Sequence, residues 1–229
     1  MARQERAVRT RDAILVAAAE VFDEVGYESS AISEILSRAG VTKGALYFHF
    51  ASKKELAQAV LANQVTAVPQ VPWRELALQQ GLDESLVIAY MLSASDAMVR
   101  GSVRLTVDQG SRADGLDRRV PMSAWIERNV TILSRAKQNG ELLPEVDVDD
   151  SARLFVACFT GVQMLSKIMA DYADLTARVT TMQRHLMASI AVPAVLVRLD
   201  ITDGRAERVY KEALAAREEG AAVAVDASG

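Results

Sequence analysis

The chain has 229 residues, half of them hydrophobic, and a net charge of −4 at neutral pH. That length and apolar share are enough to bury a sizeable core, which excludes a wholly disordered chain and a small disulfide-stapled domain. A single cysteine, Cys158, excludes an internal disulfide and suits a reducing cytoplasm. The leading MARQERAVRTRD has no hydrophobic stretch fit for a signal peptide, and no unbroken apolar run approaches the ~20 residues of a membrane span.

Taken in chain order, the first element is an amphipathic helix on which Ile14, Ala18, Val21, Phe22 and Val25 recur at three- and four-residue steps, with Gly26 as its stop. Its basic leading arm, with Arg3, Arg6, Arg9 and Arg11, has a tip without structural signals and is placed to follow a nucleic-acid backbone or enter a minor groove. Ser29 or Ser30 then caps a second helix with an inward stripe of Ile32, Ile35, Leu36 and Ala39. Gly40 closes that helix in the left-handed conformation, and Thr42 caps a third. On the third helix Ala45, Leu46, Phe48 and Phe50 are expected to pack inward, leaving Lys43, Gly44, Tyr47 and His49 outward. Two short helices with a cation, a bare glycine and an aromatic on one short turn form a surface shaped for double-stranded DNA.

Each candidate has its own chemistry. Lys43 can reach a guanine edge or a phosphate, Gly44 lets the backbone approach the groove, and Tyr47 suits a phosphate contact. His49 reads equally as a phosphate contact and as a half-buried ring bonded to a neighbouring helix. The segment Ser52-Lys53-Lys54-Glu55 is a capping box opening a fourth helix to about Gln64, where Lys53 can hold a phosphate beside free backbone amides. Net acidity does not oppose this reading. Residues 1–56 hold eight basic and eight acidic residues, and the basic ones gather at the arm, Lys43 and Lys53–Lys54; local field decides phosphate binding.

The stretch VTAVPQVPWRELALQQG reads as a connection. Beyond it, helices are expected over about 82–101, 102–110, 121–139, 148–171, 174–190 and 193–217, with breaks at Gly101, Gly110, Gly115, Gly140–Pro144 and Pro193. The class is therefore all-α. Residues 1–51 form a helix-turn-helix head, 52–80 a connecting helix and linker, 81–219 a bundle for ligand binding and dimerisation, and 220–229 a disordered tail. The run Leu154–Met169 is apolar on most faces, so it must be buried on two sides, and a second copy of the chain supplies the second side. A homodimer also matches a pseudo-palindromic DNA site. Trp125 can cover a planar ring, with Thr131 a neighbouring hydroxyl; Thr160 and Gln163 interrupt the apolar run, and Gln64 ends the connecting helix. Each also reads as a core or surface residue of no special role. No cofactor or metal is expected. His49 and His185 stand far apart, GVTKG lacks phosphate-loop spacing, and no GxSxG segment occurs, so the chain does not read as an enzyme.

The segments RDAILVAAAEVFDEVGYES and ISEILSRAGVTKGALYFHFASKKEL resemble the DNA-binding half of the TetR family of one-component repressors. The body segments VRLTVDQG, GLDRRVPMSAWIERN, LSRAKQNGELLPEVDVDDSA and FVACFTGVQMLSK are similar to the γ-butyrolactone autoregulator receptors within that family. The resemblance implies a cytoplasmic dimeric repressor of antibiotic-biosynthesis and signalling genes, released from operator DNA by a small diffusible lactone that Trp125 closes over. Whether that lactone is a γ-butyrolactone or a butenolide such as avenolide stays open. Release is expected to act by a population shift carried through residues 52–64. A TetR-type sensor of another apolar or multidrug ligand is the alternative; its cavity would call for more aromatic or acidic groups than a chain with 5% aromatics offers.

Overall fold

The computed structural model describes residues 2–108 and 114–226, with only the backbone given for Ala2, Arg3, Glu5 and residues 220–226. Among the described residues the chain is helical throughout, in eleven elements. They are α1 Ala2–Ser29, α2 Ile32–Ala39, α3 Lys43–His49, α4 Lys53–Ala67, α5 Ala77–Ser93, α6 Ala97–Val107, α7 Arg119–Gln138, α8 Val148–Ala170, α9 Leu175–Ile190, α10 Pro193–Leu196 and α11 Arg205–Asp226. The only bridge-like pairing among them is a single one between Leu142 and Ala191. The helices divide into two compact units, residues 1–67 with 95–122, and residues 68–94 with 123–229. The connecting helix and α6 thus pack with the head, whereas the sequence reading placed residues beyond 80 in one body.

In the first unit, Ile14, Ala18, Val21 and Phe22 of α1 enclose a core with Ile35, Leu46, Phe50, Leu56, Leu61 and Leu105. Helix α1 begins at Ala2, so the basic arm is helical rather than loose, and it kinks at Gly26 before one more turn. The side chain of Arg3 lies outside the described residues. Gly101 is not the break the sequence suggested; it sits inside α6. A Cβ there would meet the Ala19 carbonyl oxygen at 2.2 Å, so the absent side chain is what lets α6 lie directly on α1. The break falls instead before Asp96, whose carboxylate accepts from the Val99 amide at 2.9 Å and caps α6. Gly110, expected as a further break, lies outside the described residues.

The second unit is organised around α5. Its first turn is capped from a distance by the buried Glu141, whose carboxylate accepts from the Ala77 and Leu78 amides at 2.8 and 2.9 Å. Asp83, fully buried on α5, is held by Arg74 of the linker at 2.7 Å and by Arg205 of α11 at 2.6 Å. Leu78, Leu82, Leu133, Leu142, Met187 and Ile190 form the core around it. The single helix expected over 193–217 is two. Asp200, Thr202 and Asp203 are turn-forming residues, and Asp200 accepts from the Thr202 hydroxyl at 2.5 Å and from Arg205, which ends α10 and starts α11. Helix α11 then continues to Asp226 through Ala-rich sequence, into the stretch that composition marks as tail; residues 227–229 lie outside the described residues.

Helix α8 is long and apolar enough by length and composition to cross a membrane, which the sequence had not suggested. Ionic and polar groups at Lys167, Ser166 and Gln163 interrupt it, and Ser166 hydrogen-bonds Asp174 at 2.5 Å. Its outer side chains are nevertheless bare: Ile168 is 75% and Met169 69% exposed, and Leu154, Met164 and Leu165 are exposed as well.

The α1–α6 contact gives a sign test. In a free helix Gly→Ala stabilises by up to about 1 kcal/mol. At position 101 the added methyl instead strikes backbone, so Gly101→Ala is expected to destabilise by about 1–3 kcal/mol, the usual cost of overpacking. Urea denaturation of the wild type and the variant reads the sign; a stabilised variant rejects the close packing.

Candidate DNA interface and effector site

Helix α2 ends as the sequence indicates. Gly40 takes φ 63° and ψ 34°, the Val41 amide donates to the Leu36 carbonyl at 3.2 Å, and the Gly40 amide to Ser37 at 3.3 Å, a Schellman closure. Its start differs. Ala31 occupies the cap position without a side-chain bond, and the Ser30 hydroxyl donates backwards to the Tyr27 carbonyl at 2.7 Å. Thr42 does cap α3, accepting from the Ala45 amide at 3.2 Å. Ser52 accepts from the Glu55 amide at 3.1 Å while Glu55 takes the Ala51 amide at 2.7 Å, so α4 begins with a reciprocal cap carrying a carboxylate.

Helix α3 is pinned by the buried Leu46 and by Phe50 just past its end. Lys43, Gly44 and Tyr47 face outward, the Lys43 ammonium standing 5.9 Å from the centre of the Tyr47 ring. Nothing but the Thr42 hydroxyl, 4.0 Å away, approaches the place of a Cβ on Gly44, so a bare strip of backbone is offered to the solvent. Phe48, expected inward, is 80% exposed. The wheel explains it: at 100° per residue position 48 lies 200° from Leu46 and falls above Gly44. The sequence carried that signal in the i, i+4 spacing of Leu46 and Phe50. His49 is half-buried, its ring edge-on to Phe48 with centroids 5.0 Å apart.

The cations of the head divide into spent and free. Arg38 binds Glu24 through both nitrogens at 2.7 and 2.9 Å and reaches Glu34 at 3.1 Å. That pairing raises the guanidinium pKa and holds the Glu24 carboxyl below its usual range. Lys53 is also committed. Its ammonium donates to the Ser30 carbonyl at 2.6 Å and lies 4.7 Å from the Tyr27 ring centre, and burial pushes its pKa down. The sequence reading lets Lys53 reach a phosphate; in the fold its ammonium also meets the open carbonyls at the end of α1 and just after it. Arg6, Arg9, Arg11 and Lys54 remain exposed, with Arg11 5.1 Å from the Phe50 ring centre.

The five expected effector residues are divided between the two units. Gln64 belongs to the first unit, is buried, and its amide oxygen has no partner. Trp125, Thr131, Thr160 and Gln163 belong to the second. Trp125 is half-buried on α7. Thr131 is exposed and donates to the Glu127 carbonyl at 2.9 Å, a step of six residues carrying it around the helix from Trp125. Thr160, half-buried, donates to Val156 at 2.8 Å. Gln163 is buried with its amide oxygen unpartnered. Gln183 of α9, which sequence reasoning missed, is more buried still and has an unpartnered oxygen too.

Residues 14–60 match the model of bacterial regulatory proteins of the tetR family. Along the whole chain the A-factor receptor protein of Streptomyces griseus is 39% identical over 235 residues, spanning all of this chain and 81% of that protein. The chain belongs to the TetR family. It is a transcriptional repressor with a DNA-binding helix-turn-helix, not an enzyme, and such regulators work in the cytoplasm as dimers on operator DNA. Full-length native TylP, a TetR regulator from Streptomyces fradiae, superposes with a TM-score of 0.86 at 59% identity over 91% of this chain and 99% of its own. A γ-butyrolactone receptor (ArpA-like protein) does so with a TM-score of 0.68 at 30% identity over 90% of this chain and 99% of its own.

Lys43 and Lys53 are expected to behave differently. On a pseudo-palindromic duplex selected by the protein from random sequence, Lys43→Ala weakens binding by about 1–3 kcal/mol per lost contact. Lys53→Met lowers thermal stability and leaves the slope of affinity against salt close to wild type. Fluorescence anisotropy across a salt series decides; an equal loss of slope in both variants refutes the division.

Proposed function

We propose that this TetR regulator holds pseudo-palindromic operator DNA as a homodimer and lets go when a small γ-butyrolactone or butenolide signalling molecule binds its second unit, so controlling antibiotic-biosynthesis genes. What carries the effector half is the length of the likeness to the A-factor receptor: it runs through the body as well as the head, at 39% identity over all of this chain. The operator half rests on α3, where Lys43, Gly44 and Tyr47 stand clear of the core on a helix whose other face is pinned by Leu46. Arg6 and the rest of the basic arm reach phosphate or minor groove beside it, and Thr42 fixes the start of the reading helix.

The dimer forms through α8. An apolar strip bearing Leu165, Ile168 and Met169 is too exposed for a lone soluble chain, and a two-fold axis lets one strip cover its copy. The effector acts by preferring one of two head spacings, each ~1.4 kcal/mol of preference changing their ratio tenfold. An alkyl tail contributes ~0.8 kcal/mol per buried methylene. Trp125 lies three residues beyond Met122, where the unit containing the head ends, and on the same continuous helix α7. A ring closing on Trp125 therefore has a covalent route to the head, in addition to α4.

Two measurements test this reading. Trp125→Ala is expected to keep operator affinity within about threefold while losing release by an alkyl γ-butyrolactone by tenfold or more, a difference above 1.4 kcal/mol; unchanged release removes Trp125 from the site. Leu165→Glu combined with Ile168→Glu is expected to give a monomer in native mass spectrometry and to abolish binding to the symmetric duplex. A variant that stays dimeric refutes the α8 interface.

A further inference from the structure

Phe48 is the most exposed aromatic side chain among the described residues, and it stands on the DNA-reading helix. Gly44 comes two residues before the buried Leu46 and Phe48 two residues after it, about 200° around the helix in each sense. The pair therefore straddles the line that points straight away from the core. Helical side chains lean toward the N-terminus, so the surface that a residue covers lies over the preceding turn. For Phe48 that turn holds Gly44, which has no side chain to cover it, and only the Thr42 hydroxyl, 4.0 Å away, comes near the place where one would begin. The ring stands open, edge-on to His49 with centroids 5.0 Å apart.

An open phenyl ring forgoes the gain that burial brings, and Phe22 and Phe50 of the same unit are sunk almost completely. A polar residue at position 48 would leave the core untouched. The surface around the ring already has an occupant, since α3 of a helix-turn-helix regulator lies in a major groove. Lys43 and Tyr47 can hydrogen-bond bases or phosphates there. The Phe48 ring has no polar handle, so a phosphate oxygen gains nothing from it. Among the groups that base pairs display in the major groove, the apolar one is the C5 methyl of thymine.

We propose that Phe48 is a specificity residue of the operator contact, its ring packing on a thymine methyl in each half-site. The inference rests on the operator reading above and deepens it, by naming a base that each half-site carries and the atom by which that base is recognised. Gly44 keeps the neighbouring backbone low, which lets the ring be the first group of that face to enter the groove.

The test uses the full-length protein and a duplex that the wild type selects from random sequence. Each thymine position is replaced in turn, in both half-sites, by deoxyuridine, which removes the methyl and keeps every hydrogen bond of the pair. Fluorescence anisotropy is expected to find a position at which the wild type loses about fourfold per half-site, the effect of one methyl-sized group leaving an apolar contact. Phe48→Ala is expected to bind the thymine duplex about tenfold more weakly and to lose nothing further at that position, so that the double-mutant cycle shows a coupling of about threefold or more. Phe48→Leu, which keeps a smaller apolar tip, is expected to show a reduced uracil effect and stands in for the alanine variant if that one binds too weakly to titrate. Both variants are expected to melt close to wild type, because position 48 lies outside the core. A selected site with no uracil-sensitive thymine, unchanged affinity in Phe48→Ala, or a uracil effect undiminished in both variants overturns the proposal and leaves the operator reading standing. A wild type that selects no duplex overturns both.

Discussion

A seven-residue helix cannot hold itself in water, and the DNA-reading helix of this protein is no longer than that. Helix nucleation fixes several dihedrals for one hydrogen bond, so fewer than ~12 residues stay marginal without outside support. All of α3's order is borrowed: Thr42 closes its first turn, and Leu46 and Phe50 sink into the core shared with Phe22, Ile35 and Leu56. Burying two such side chains contributes about 1.5–3 kcal/mol each. The same core includes Leu105 of α6, brought down onto α1 because Gly101 has no side chain. The presenting surface of α3 is therefore held by the same core as the rest of the first unit.

The electrostatics of the head follow from the same economy. An acidic protein that binds DNA needs its few cations where phosphate runs and its acids elsewhere. Arg38 answers the second need by neutralising Glu24 and Glu34 of α1 and α2. Lys53 satisfies carbonyls that α1 leaves open. Arg6, Arg9, Arg11, Lys43 and Lys54 remain exposed.

The second unit is built on a different principle, polar groups buried at its heart. Glu141 and Asp83 are buried carboxylates with full sets of donors, and they tie together elements far apart in sequence. Such networks specify a single arrangement when complete and are costly when broken. Against that background the unpartnered oxygens of Gln163 and Gln183 stand out, as do the bare apolar side chains of α8.

The all-α class, the helix-turn-helix, the Gly40 closure, the Thr42 cap and the family were legible in the sequence, because each depends on neighbours within a turn or two along the chain. Gly101 as a break and one helix over 193–217 were expected and not found. Both turned on what lies beside the residue in space: the Ala19 carbonyl and the Asp200 turn. Phe48 was readable from helix spacing and was assigned to the wrong face. The anchoring of Gln183 was not readable at all, since its orientation is set by Leu82 and Ser85, about a hundred residues away. Local hydrogen bonding and periodicity are written in the chain; which polar group meets which partner is decided only when distant helices pack.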